Sequence, residues 1–150
     1  MTEQSQRVVL ITGAAGGVGQ AAVNHFFARG WRVIGVDRKE RPADFPSDGL
    51  FLQTDIALPE NLEMVFREAA NFTPKLDALV NNAAYQIAKP LVETTVEEWD
   101  LVMACNLRPA FLGAKLGHAL LKAAGGAIVN VSSVHAVATS ASIAAYAASK

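Results

Sequence analysis

Residues Arg7–Asp37 read RVVLITGAAGGVGQAAVNHFFARGWRVIGVD. An apolar run of strand length, Arg7 to Thr12, enters a glycine-rich turn. It leaves as a helix on which Val18, Ala21, Ala22 and Phe26 recur at helical spacing. Gly30 stands where a C-cap glycine would end that helix, and a second apolar run, Trp31 to Val36, follows. A strand, a crossover helix and a strand in close succession make a βαβ unit with parallel strands.

The same alternation continues outward. Further strands are predicted at Leu50 to Thr54, Asp77 to Asn81 and Ala127 to Val131, mostly aliphatic on both faces, as strands covered on two sides should be. A helix starting near Pro59 places Leu62, Val65, Phe66 and Ala69 on one face. Thr95 and Glu98 have capping-box spacing ahead of Trp99, Val102 and Met103. A further helix, about Leu107 to Ala124, is broken by Gly125 and Gly126 before the last strand. No repeat, low-complexity tract or linker interrupts the pattern. The 150 residues therefore predict one domain, an open, doubly wound α/β parallel sheet.

With 18% charged residues and a formal net charge of -1, no electrostatic bias draws the chain to nucleic acid or an anionic membrane. The lone Cys105 excludes an internal disulfide and no Cys/His spacing resembles a zinc site, so a cytoplasmic location without a metal is expected. The polar start, Met1 to Arg7, reads as a short flexible lead-in, and the apolar run after it is too short for a signal peptide or membrane span.

Within the turn Thr12-Gly-Ala-Ala-Gly-Gly-Val-Gly19, missing side chains let the backbone approach a pyrophosphate, whose charge the free N–H groups and helix dipole favour. A plain tight turn is the alternative. Asp37 ends the second strand about twenty residues beyond the glycines, where an acid accepts bonds from both hydroxyls of an adenosine ribose and repels a 2′-phosphate. NAD is thus favoured over NADP, although Arg38 and Lys39 follow directly and a solvated turn aspartate is the other reading. Tyr146 and Lys150 are four apart, on one face of a helix, where a cation favours the phenolate.

Thr12-Gly13-x-x-x-Gly17-x-Gly19, Asn81-Asn82-Ala83-Ala84, Asn106, Ser133 and Tyr146-x-x-x-Lys150, in that order and with Ser133 thirteen positions before Tyr146, resemble the signature of the short-chain dehydrogenase/reductase family. The resemblance runs from Arg7 to Lys150 and implies a Rossmann-like fold. By it, Gly13, Gly17, Val18 and Gly19 match the pyrophosphate turn and Asp37 the ribose selector. Asp55 and Ile56 match the pair at the adenine, and Asn82 and Ala83 the loop beside the second ribose. Ala84 departs from the family's more frequent glycine, a change of little cost unless φ there must be positive.

The resemblance assigns Asn106, Ser133, Tyr146 and Lys150 to catalysis. Tyr146 would be the acid/base, a phenol of ordinary pKa ~10 that needs neighbouring cations to work near neutral pH. Lys150 would be one such cation and would also hold the ribose hydroxyls. Ser133 would donate to the substrate oxygen, and Asn106 would hold a water in a proton relay to the lysine. Each residue also has an ordinary reading: an exposed helix pair, a turn or cap serine, a helix or capping asparagine. Cys105 reads as a small buried hydrophobe.

Gln86 and His135 are arranged as in the family's 3-hydroxybutyrate dehydrogenases, where both positions bind the substrate carboxylate. The lysine that group carries three residues before the tyrosine is here Ile143, and an unpaired buried acid is costly. The loop Ala136 to Ala145 is small and apolar apart from Thr139, Ser140 and Ser142. A neutral secondary alcohol, polyol, sugar or ketone is therefore favoured over a short hydroxy acid, and a non-catalytic nucleotide sensor is the rival of another class. His25 and His118 read as structural.

Family members continue well beyond the Tyr/Lys pair, through more strands, a substrate-covering segment and much of the oligomer interface. The expectation is that these residues are the N-terminal part of a longer homo-oligomeric enzyme, dimer or tetramer. By themselves they would bind NAD weakly without turnover, and the edge of the fifth strand would be a pairing hazard.

Overall fold

The computed structural model describes residues 6–150, so Met1 to Ser5 of the polar lead-in lie outside the described residues. Five strands, β1 (Val8–Thr12), β2 (Arg32–Asp37), β3 (Leu50–Gln53), β4 (Ala78–Asn81) and β5 (Ala127–Asn130), form one wholly parallel sheet in the order β3-β2-β1-β4-β5. Each begins and ends within one residue of its predicted bounds. The helices are α1 (Gly17–Phe27), α2 (Pro59–Phe72), α3 (Val96–Asn106), α4 (Arg108–Ala124) and a short α5 (Ala144–Ala148).

The chain steps outward from β1 through β2 to β3, then returns to the other side of β1 for β4 and β5. Val9, Leu10 and Ile11 of β1 lie opposite Ala78, Leu79 and Val80 of β4. The carboxyl ends of β1 and β4 therefore flank the point where the strand order reverses, and such a switch point opens a crevice.

Pleating sends alternate β1 side chains to opposite faces, and both faces are covered. Val8 and Leu10 pack with Leu62, Val65, Phe66 and Ala69 of α2 and Leu121 of α4. Val9 and Ile11 pack with Val23 of α1 and with Phe45. Each such aliphatic side chain contributes about 1.5–3 kcal/mol when fully buried, so β1 is the most firmly bedded strand. Pro59 occupies the first turn of α2, as predicted. Thr95 and Glu98 form the expected capping box on α3, with bonds of 3.2 and 2.9 Å.

Two packing expectations are corrected. Val18 does not face the sheet but is 66% exposed, and Ala21 is exposed too. Gly19 and Val23 carry the buried face of α1. The cause is the close approach of Gly19 to Gly13, which fixes the rotation of the first turn and swings Val18 outward. β5 is not covered on both sides either. Within residues 6–150 all four of its residues are exposed, Ile128 at 42% and Val129 at 49%, because α1 lies over β1 and β2 and does not reach β5.

Short 3-10 turns at Leu91–Glu93 and Val134–Ala136 were not foreseen from the periodicity. The close succession of α3 and α4 agrees with the two helices expected there. Pro109, without an N–H, ends one helix and starts the next, which leaves Asn106 at the break.

Candidate active site

At the carboxyl end of β1 the backbone is pinned to that of β4 by one buried hydroxyl. Thr12 Oγ1 accepts from the N–H groups of Asn82 and Ala83 at 3.0 and 3.1 Å, and Asn82 Nδ2 donates to the carbonyls of Thr12 and Gly13 at 3.0 and 3.3 Å. Gly13 has φ +69°, and a Cβ there would stand 2.9 Å from the Ala83 backbone. A Cβ on Gly19 would collide with the carbonyl of Gly13. Gly17 differs, since a Cβ there would meet nothing within 4 Å. The fold needs glycine at 13 and 19 for its own packing, whereas at 17 the missing side chain only leaves space in front of α1. No side chain caps α1, so its first-turn N–H groups and positive end are available to an anion in that space.

An open cleft of about 340 Å³ lies there. It is lined by Gly13, Gly17, Val18, Gly19, Asp37, Asp55, Ile56, Asn82 and Ala83, so every residue assigned to the nucleotide from the turn to the second ribose shares one cavity. The outward swing of Val18 is what brings it to this lining. Asp37 is oriented from both sides: Oδ2 accepts from Ala15 N at 2.9 Å and Oδ1 from Lys39 N at 2.9 Å. Asp55 Oδ1 accepts from Ala57 N at 3.0 Å. Ala84 also lines the cleft and has no positive φ, so alanine is tolerated there as expected. The cavity's shape, its glycine-bared floor and its oriented carboxylate fit a dinucleotide.

Asn106, Ser133, Tyr146 and Lys150 are not in that lining. They gather in a second group near the end of β5. Lys150 Nζ stands 5.6 Å from the centroid of the Tyr146 ring and donates to the carbonyl of Val131 at 2.9 Å. Burial pulls this ammonium below its ordinary pKa of 10.5. The Ser133 hydroxyl caps the 3-10 turn by accepting from His135 N at 3.2 Å, which leaves its own proton free to donate. The His135 ring meets Tyr146 edge-on at 6.2 Å, and its buried Nδ1 has no hydrogen-bond partner among the described residues. Gln86 is exposed on the loop after β4.

The Asn106 side chain is fully occupied. Oδ1 accepts from Tyr85 N at 2.7 Å, and Nδ2 donates to the Tyr85 carbonyl at 2.9 Å and to Ser149 Oγ at 2.8 Å. Ser149, buried, donates its own hydroxyl hydrogen bond to the carbonyl of Tyr146 at 2.7 Å. The amide thus ties the loop after β4 to the turn that carries Tyr146 and Lys150.

Several residues at the site escaped the sequence. Cys105 lines the cleft, and burial raises its thiol pKa. Tyr85 lines it too, Ser149 joins the turn carrying Tyr146 and Lys150 to Asn106, and Arg38 and Lys39, the basic pair already noted after Asp37, are in the lining as well. The serine inside YAASK was a visible signal, a small polar residue on a short helix between two candidate catalytic groups; nothing local distinguished Cys105 or Tyr85. Among the described residues no His/Cys/Asp/Glu group could hold a metal ion, and no helix is long and apolar enough to cross a membrane.

A strand-turn-helix crevice at a switch point, with an acid closing the second strand, defines a nucleotide-binding α/β fold of the Rossmann type. The profile of the short chain dehydrogenase family matches residues 7–150, and the chain belongs to that family.

It is 36% identical over 97% of its length to an NAD-dependent glycerol dehydrogenase of Listeria innocua, of which it covers 60%. A 3beta-hydroxysteroid dehydrogenase of Mediterraneibacter gnavus is 32% identical over 97% of the chain and is covered for 56% of its own length. Among solved structures, a short chain oxidoreductase from Brucella ovis in complex with a partially ordered NAD superposes with a TM-score of 0.88. The identity is 28%, over 97% of this chain and 71% of that one. The chain thus spans about three fifths of the curated relatives it matches.

Proposed function

We propose that the protein is an NAD-dependent oxidoreductase that transfers a hydride between the nicotinamide and a secondary alcohol or ketone, with residues 1–150 forming one dinucleotide-binding domain. The observation that carries this reading is the second cluster. Lys150 lies beside the Tyr146 ring, on a turn that Ser149 ties to Asn106, with the Ser133 turn against it. A binding protein without catalysis has no use for that grouping.

When bound, the nicotinamide supplies or accepts the hydride. Tyr146 gives a proton to the substrate oxygen in reduction and takes one in oxidation. Ser133 donates to the same oxygen as its charge develops. Lys150 favours the phenolate by its charge, and the N–H bonds it does not spend on Val131 serve the ribose hydroxyls. Asn106 holds the turn in place; with its side chain spent on Tyr85 and Ser149, its support for Lys150 is positional rather than the water contact expected of it. Asp37 accepts from the adenosine ribose and disfavours a 2′-phosphate, which supports NAD over NADP.

Ile143 is buried where a carboxylate would want a cation, which supports a neutral alcohol, polyol, sugar or ketone. One observation favours a 3-hydroxy acid instead: the orphaned His135 Nδ1, next to Tyr146, is a partner waiting for a polar substrate group, with Gln86 as the second contact. The lone cysteine supports a cytoplasmic setting, and the family resemblance a homo-oligomer.

The test is Tyr146→Phe. In the full-length protein, turnover of alcohols with NAD should fall by about 10²–10⁴-fold while NADH fluorescence titration still shows binding. Retained turnover refutes Tyr146 as the acid/base. NADH binding without an absorbance change on any alcohol, in the unaltered protein, favours the sensor.

A further inference from the structure

Residues 82–90, between β4 and the 3-10 turn that precedes α3, form a strap. Its first part lines the nucleotide cleft through Asn82, Ala83 and Tyr85. It is then tied at two points to the segment that carries Tyr146. The inner tie is the Tyr85–Asn106–Ser149 chain of bonds, which reaches that segment three residues after Tyr146. The outer tie is Lys89, whose N–H donates to the carbonyl of Ser142 at 2.6 Å, four residues before Tyr146. The strap therefore brackets Tyr146.

Lys89 is itself held. Its ammonium contacts both carboxylate oxygens of Glu98, at 3.1 and 3.0 Å, and Glu98 also accepts from Thr95 N in the capping box of α3. The strap's outer end is thereby fixed to a helix. Ser142 has φ +63° and is the non-glycine residue with positive φ among the described residues. Such a conformation persists where surrounding contacts impose it, and the bond from Lys89 is the contact present. The ion pair does little for overall stability, because both side chains are 32% exposed. What it fixes is position.

We propose that Lys89 is a positioning residue that sets the separation of the strap from the Ser142–Tyr146 segment, and so the width of the substrate opening beside Tyr146. The proposal rests on Tyr146 being the acid/base. Lys89 stands at the end of the strap remote from Asn82, Ala83 and Tyr85, and Tyr85 has its own tie to Asn106, so nucleotide affinity should not change when the outer tie is loosened.

The experiment compares Lys89→Met, Lys89→Arg and Glu98→Gln with the unaltered protein. KM and kcat are measured for glycerol and 2-propanol with NAD, NADH affinity by fluorescence, and amide exchange by mass spectrometry. Lys89→Met should raise KM about fivefold or more with kcat within about twofold, leave NADH affinity unchanged, and speed exchange at residues 87–89 and 140–143 but not at Tyr85. Glu98→Gln should reproduce this, and Lys89→Arg should restore KM and exchange. Unchanged KM and exchange in Lys89→Met overturn the proposal, as does a parallel loss of KM, kcat and NADH affinity. If the full-length protein oxidises neither alcohol, the dehydrogenase reading loses support, and the exchange pattern alone decides whether Lys89 holds the strap.

Discussion

The nucleotide cleft and the Tyr146 cluster are built by opposite means. The cleft rests on β1, whose residues Val8 to Ile11 are buried on both faces, and its shape comes from backbone: two glycines at forced approaches, a threonine pinning two strand ends, an aspartate held by main-chain N–H groups. The cluster gathers beyond the end of β5, and it is held by side-chain bonds between segments far apart in sequence. A site made from backbone at the centre of a sheet is rigid because the core is rigid. A site made from side chains that bridge distant segments is only as fixed as each bond in it.

That contrast predicts different failures. The largest effect is expected for Gly19→Val, whose branched side chain would be driven into the Gly13 carbonyl. Overpacking of this kind costs about 1–3 kcal/mol or more, and NADH binding should disappear with it. Urea unfolding and a fluorescence titration check both, and preserved affinity would break the idea that the backbone turn is the nucleotide's seat.

Next is Ser149→Ala, which removes the acceptor of one Asn106 N–H and a donor to the Tyr146 carbonyl. A loss of about 1–3 kcal/mol is expected, with kcat falling while NADH affinity holds. Equal loss of both would mean that the two regions are not separate.

The smallest effect concerns Lys150. Burial disfavours its charged form, so the folded chain binds this proton more weakly than the unfolded chain. Stability should therefore rise as pH is raised through the depressed folded value toward 10.5, and the Lys150 contribution should be least at lower pH. Urea midpoints of the unaltered protein and Lys150→Met, compared at neutral and alkaline pH, should show a difference that moves in favour of lysine with rising pH.

The same contrast explains what was legible in the sequence. The strands, the glycine turn and Asp37 are local features: period, missing side chains and an acid at a strand end all lie within about thirty residues. The family resemblance then supplied Asn106, Ser133, Tyr146 and Lys150. It could not say that the Asn106 amide grips Tyr85 and Ser149, contacts that span 21 and 43 residues. Nor could periodicity orient α1, because a contact with Gly13, outside the helix, decides its rotation and turns Val18 to the cleft.

The position of β1 also bears on how the chain is made. One edge of β1 finds β2 soon after synthesis, but the other belongs to β4, which begins only at Ala78. At roughly 5–20 residues per second, the central strand waits on the ribosome for a few seconds with an apolar edge unpaired. The Thr12 hydroxyl meets its partners at Asn82 and Ala83 only afterwards. The floor of the nucleotide cleft is thus translated ahead of the strand that completes it and waits until more than half of these residues have emerged.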